Sequence, residues 1–141
     1  GTEHVRVPKK AEIFYGENRG DVHHFARSVV DAGADIVLGH GPHVTRAVEV
    51  YKNKFIAYSL GNFNTYGRFS LTGDKGIAPL LDIKLKSNGD FLSAKVVSVK
   101  QTKEKGLELD AENRAFHRIK QLTKLDFPQQ NLKFEENTIK L

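Results

Sequence analysis

The segment that most constrains this chain is residues 31–43, where Asp31-Ala32-Gly33-Ala34 leads into Asp35-Ile36-Val37-Leu38 and then Gly39-His40-Gly41-Pro42-His43. A short, nearly continuous apolar run after a helix-ending glycine suits a strand covered on both faces. Upstream, Val22, Phe25, Ala26, Val29 and Val30 recur at helical spacing, with Asp21 placed to cap and Gly33 to stop them. A helix from Asp21 to about Ala32, followed by a buried strand, sets a layered α/β architecture.

Ahead of the helix, residues 1–19 are polar and irregular, with Pro8 and Gly16-Glu17-Asn18-Arg19-Gly20 confining regular structure to the neighbourhood of Ile13 to Tyr15. After it, residues 47–51 and 55–60 are β-rich runs parted by Lys52-Asn53-Lys54, which reads as a hairpin. A second hairpin is expected from residues 80–86 and 91–100 around Ser87-Asn88-Gly89-Asp90, where Asn-Gly favours a type I′ turn. Residues 62–79 form a long glycine-punctuated connection, a length that usually signals function or mobility. Ala115, Phe116, Ile119 and Leu122 mark an amphipathic helix at about 111–123, and residues 126–141 read as a packed or frayed tail. The expected fold class is therefore mixed α and β, in a single unit spanning residues 1–141.

Of the 141 residues, 39% are apolar and 28% charged, which fits one globular core rather than a disordered chain. No apolar run approaches the roughly 18 residues of a spanning helix. The net charge of +5 arises with lysines interleaved among acids from Lys84 to Lys140, so it describes solvated faces, and no nucleic-acid partner is expected. Without cysteine there is neither a disulfide nor a thiolate site. The chain lacks methionine and opens Gly1-Thr2-Glu3-His4, so sequence is expected to have been removed upstream.

Chemistry concentrates at His40 and His43, in a Gly-Pro turn at a strand's C-terminal end, where open α/β sheets place ligands. Glycine lets backbone approach an ion or phosphate, Pro42 keeps Gly41 out of the helical region, and imidazole is a common transition-metal ligand. The alternative is one packed and one exposed histidine. Two histidines do not complete a catalytic metal site, which usually has three protein ligands. The acids Glu17, Asp35 and Asp74 are not at motif-like spacing. Asn62, with Ser59 in Tyr58-Ser59-Leu60-Gly61-Asn62-Phe63, either orients a substrate or makes a strand-end turn. Arg19 could meet an anion at the first helix's entrance, where capping by Asp21 is the simpler account, and Arg68 could do so in the long loop. His23, His24 and His117 read as structural, and His4 as unanchored.

Residues 31–43, followed by Glu49-Val50-Tyr51 and Tyr58-Ser59-Leu60-Gly61-Asn62-Phe63, resemble the bacterial capsule-synthesis family of the CapA, poly-γ-glutamate type in wording and spacing. The likeness is densest between Gly16 and Pro79. It implies the C-terminal half of a calcineurin-like metallophosphatase domain, an α/β/β/α sandwich whose earlier half supplies most metal ligands. His40 and His43 match the late histidine motif and so stand as candidate catalytic and metal residues, with Asn62, Ser59, Arg19 and Arg68 as candidate substrate contacts. Here Gly-Pro separates the histidines, where ordinary phosphatases have a single residue. The implied cofactor is divalent manganese, zinc or iron in the intact domain, with none expected on this chain alone. The resemblance further implies a cell-envelope setting and a metal-dependent hydrolase acting on a phosphoester or envelope polymer. The alternative is a non-catalytic protein holding an anionic polymer in the same cleft. The missing N-terminal half is an expected partner, and without it self-association through an uncovered sheet edge is expected.

Overall fold

The computed structural model describes residues 5–141, so the opening Gly1 to His4, including the unanchored His4, lies outside the described residues. Strands β1 (Ile13–Phe14) and β2 (Glu17–Asn18) form a small hairpin ahead of helix α1 (Val22–Asp31). Asp21 caps α1 as expected: its side chain accepts the His24 backbone N–H at 2.8 Å, and Gly33 leaves the helix at φ +110°. Strand β3 (Ile36–Leu38) then runs parallel to β5 (Lys54–Ala57), which pairs antiparallel with β4 (Val48–Tyr51), giving the order β3-β5-β4.

Alternation along β5 divides the interior into two cores. Phe55 and Ala57 join Val48, Phe91, Val96, Phe116, Ile119 and Ile139 in one core. Ile56 and Tyr58 join Ala26, Val30, Ala47 and Phe127 in the other. A strand's side chains point alternately to opposite faces, so this small sheet is covered on both sides. Ile36 and Val37 of β3 likewise pack on opposite cores. The strand is nevertheless at the sheet's edge, and Leu38 is 51% exposed. The expected cover is present on its faces and absent, among the described residues, from its outer edge.

The larger sheet is antiparallel, built on β6 (Ile77–Leu85) and the long β7 (Phe91–Thr102). Helix α2 (Arg114–Asp126) packs on it and buries the expected stripe of Ala115, Phe116, Ile119 and Leu122, with Phe116 and Ile119 in the first core and Leu122 in the second, and it starts about three residues later than expected. Asp110 explains the later start: it accepts the Arg114 backbone N–H at 2.9 Å, occupying a first-turn donor from outside the helix. Three strands went unanticipated. Strand β8 (Gly106–Leu109) pairs with the end of β7, and the supposed tail is a hairpin of β9 (Lys133–Glu135) and β10 (Thr138–Lys140), with β10 paired to β7.

The turn chemistry is the reverse of expectation. Lys52 and Asn53 both have positive φ, +50° and +64°, the form of a type I′ connection. At the second hairpin only Gly89 is positive, following a turn in which its N–H reaches Lys86 O at 2.9 Å, so Asn88-Gly89 does not form the I′ turn. Packing accounts for this. A Cβ on Gly89 would lie 1.9 Å from Asp35 Oδ1, because Lys54 Nζ draws Asp35 (2.8 Å), Asn88 O (2.9 Å) and Asp90 (3.4 Å) together.

Candidate functional site

The loop after β3 is shaped by its two glycines. A Cβ on Gly39 would sit 2.6 Å from Tyr58 O, so only glycine lets the strand end lie this close to the neighbouring backbone. Gly41 has open space around it but a φ of +130°, which L side chains rarely adopt. His43 is itself left-handed at φ +58°. Gly39 donates to Ala57 O at 2.7 Å and Leu60 donates to Gly39 O at 3.0 Å, extending the β3–β5 pairing to the loop's root.

Both histidines were expected to emerge beside Asn62, and only His43 does. Asn62 is buried, and its Nδ2 donates to His43 O at 3.2 Å and Lys75 O at 3.1 Å. With both amide protons committed, Oδ1 is fixed as the acceptor, and it lies 2.9 Å from His43 Nδ1. The proton of neutral His43 therefore belongs on Nδ1, which leaves the Nε2 lone pair for a ligand or a proton. Fixing one ring nitrogen to define the other is how proteins orient ligand and base histidines. His43, Asn62, Arg68, Phe69, Ser70 and Lys75 line a cleft of about 220 Å³. It contains Arg68, named from the sequence, and Lys75, which was not; among the described residues no carboxylate lines it.

His40 occupies different surroundings. It lines a second cleft, about 200 Å³, with Glu12, Arg19, Arg46, Pro42 and Tyr58. The structure thus brings His43 to Asn62 and places His40 among another set of side chains. Arg19 pairs with Glu17 at 2.9 Å. Ser59 is buried, and its Oγ accepts the Gly61 N–H at 3.2 Å, a strand-end turn. The three acids considered from the sequence are committed elsewhere: Glu17 to Arg19, Asp35 to Lys54 and Asp74 to Arg118. Among the described residues, no three of His, Cys, Asp or Glu gather into a group that could hold a metal ion. The side chains present do not fit a resident metal by themselves.

Sequence reasoning missed the supports of the His40 cleft. Arg46 is 2% exposed and donates to Glu12 at 2.7 Å, tying the N-terminal hairpin to the strand-end region. Glu49 is 0% exposed and accepts the Tyr58 hydroxyl at 2.7 Å, with Arg27 paired to it from α1. Burial and this hydrogen bond push the Tyr58 phenol's pKa far up. His23 lies against both Tyr58 and Phe127, whose rings also stack on each other; burial first, then Arg27, lowers its pKa from 6.5 despite Glu49. The signal available was an Arg and a Glu inside β-rich runs, residue types that stay buried only when paired.

Comparison with known proteins falls on this region. The family model "Bacterial capsule synthesis protein PGA_cap" matches residues 17–66. A "Capsule biosynthesis protein CapA" of Bacillus anthracis is 45% identical over 64 residues, which are 45% of this chain and 15% of that protein. A "PGA biosynthesis protein CapA" of Bacillus subtilis is 47% identical over 64 residues, 45% of this chain and 16% of that protein. A "Probable polyglutamine synthesis accessory protein" of Mycobacterium tuberculosis is 44% identical over 48 residues, 34% of this chain and 12% of that protein. The matched stretch is thus a small part of each relative's length.

Proposed function

We propose that this chain belongs to the bacterial capsule-synthesis family, whose model matches residues 17–66, and that it carries one part of a metal-dependent hydrolase acting in capsule formation at the cell envelope. The observation behind this reading is the His43–Asn62 pair, in which an amide with both protons committed leaves Nε2 as the imidazole's reactive atom. Arg68 and Lys75 lie in the same cleft and are cations without ion-pair partners among the described residues. They suit a phosphoester or carboxylate group, Arg68 with a forked donor and Lys75 as a point charge. His43 Nε2 would accept a proton from the attacking water or return one to the leaving group. A divalent metal would supply an activated water and polarise the scissile bond. Because the described side chains do not make a metal site, its carboxylate ligands belong to the remainder of the longer protein, the partner this reading requires.

A second reading is favoured by that same lack of ligands and by the cationic lining. In it the cleft holds an anionic polymer such as poly-γ-glutamate without cleaving it, through attraction that salt would weaken. Aryl-phosphate and poly-γ-glutamate hydrolysis by the longer protein that contains this chain, with manganese or zinc added, separates the two. Metal-dependent turnover lost in His43→Ala supports the hydrolase, and turnover indifferent to His43 sinks it. Polymer retention that fades with salt and with Arg68→Ala, without turnover, selects the second reading.

A further inference from the structure

The loop that walls the His43 cleft also forms a larger recess on its other side, of about 570 Å³, lined by Asn64, Thr65, Tyr66, Phe69, Gln101 and Lys103 among others. Tyr66 is 98% exposed and Phe69 44%. The loop carrying these rings is pinned to the end of β7. Thr65 donates to Gln101 Oε1 through its backbone N–H at 2.9 Å and its hydroxyl at 3.1 Å, and Gln101 Nε2 donates back to Thr65 O at 2.6 Å. Hydrophobic collapse of the loop would have buried the Tyr66 ring; the pinned backbone instead presents it to solvent beside a cavity of ligand size.

Among the described residues, amide and hydroxyl groups dominate the polar lining, with one ammonium, Lys103, and no carboxylate. We propose that this recess is a glycan subsite that takes uncharged pyranose units. A pyranose has an apolar C–H face, which suits an aromatic ring, and a rim of hydroxyls that both donate and accept. The Asn64 amide offers the same dual capacity and the Thr102 hydroxyl, which accepts the Lys105 N–H, still has its proton to donate, while Gln101 and Thr65 spend much of theirs on each other. A polyanion would call for several cations, and a nucleic-acid strand for a basic groove tracking its backbone along with the stacking ring. A single lysine provides neither. Phe69 lines both cavities and its ring centroid is 5.0 Å from that of His43, so a bound glycan would extend toward the His43 cleft.

Titration of the chain with chitotetraose and with maltotetraose, followed by calorimetry and by tyrosine fluorescence, tests this. Poly-γ-glutamate and single-stranded DNA serve as charged competitors. One neutral oligosaccharide should bind, Tyr66→Ala should weaken it about tenfold, and Tyr66→Phe should stay within about twofold because the stacking face is kept. With Tyr66 almost wholly exposed, neither variant threatens folding. The assignment is overturned if neither oligosaccharide binds, if binding ignores Tyr66→Ala, or if either charged polymer binds in its place through Tyr66. Failure of the hydrolase reading would leave this result untouched, since Tyr66 does not line the His43 cleft.

Discussion

The His40 and His43 clefts are of similar size and each contains two strong cations, yet their charges are handled differently. In the His40 cleft, Arg46 is buried and paired with Glu12. In the His43 cleft, Arg68 and Lys75 share the space with no acid among the described residues. One cleft is internally neutralised; in the other, no acid among the described residues offsets the positive charge. Two histidines three residues apart thus enter different electrostatic settings because the left-handed turn at Gly41 and His43 sends them to different sides.

The contrast is broken most severely at Arg46. Arg46→Leu leaves the Glu12 carboxylate buried without this partner and should cost about 3–5 kcal/mol in denaturant unfolding. Arg68→Leu, in the other cleft, should stay within about 0.5 kcal/mol. Equal costs would dissolve the distinction. Asn62→Ala strips two carbonyls and His43 Nδ1 of their partner, for an expected loss of about 1–3 kcal/mol. It should also mix the His43 tautomers, which imidazole nitrogen chemical shifts report directly.

Gly41→Val forces a branched residue into a left-handed backbone at a place with free space, so the cost should be strain alone, about 1–2 kcal/mol. His40 and His43 resonances should move while those of the β4–β5 core hold still; a collapsed core would show that the loop is part of the scaffold. The smallest effect is expected at His23, which Arg27, Glu49, Lys9 and Asp21 surround. Its folded pKa lies below 6.5, so the unfolded chain binds the proton more readily. Stability from keeping His23 neutral is complete above 6.5 and is lost as pH falls through the folded value. His23→Gln should flatten that part of the stability profile measured by urea titration.

Much of the scaffold was legible in the sequence because it depends on local pattern. Asp21 and Gly33 bracket α1, and residues 55–58 alternate between two cores in a β-rich run. The Gly39 and Gly41 constraints and the meeting of His43 with Asn62 followed from a strand ending in small residues. Features made by distant pairing were not legible. Glu12 and Arg46 are 34 positions apart, and neither has local context that names the other. The Asn88-Gly89 turn was misread because its geometry answers to Asp35 and Lys54 on the other sheet. Residues 133–140 have weak strand composition and become strands because β7 offers them an edge.

That edge carries a consequence for the order in which the protein is made. Strand β10 lies between β7 and β9, and Ile139, wholly buried in the main core, sits opposite Ala94. A ribosome would have synthesised β6, β7 and α2 before the residue that fills this part of their core emerged. Until then the nascent sheet would hold an open edge over an unfilled apolar pocket, the state most exposed to wrong pairing between chains. Translation speed over the final stretch, rather than any property of the finished fold, would set how long that hazard lasts.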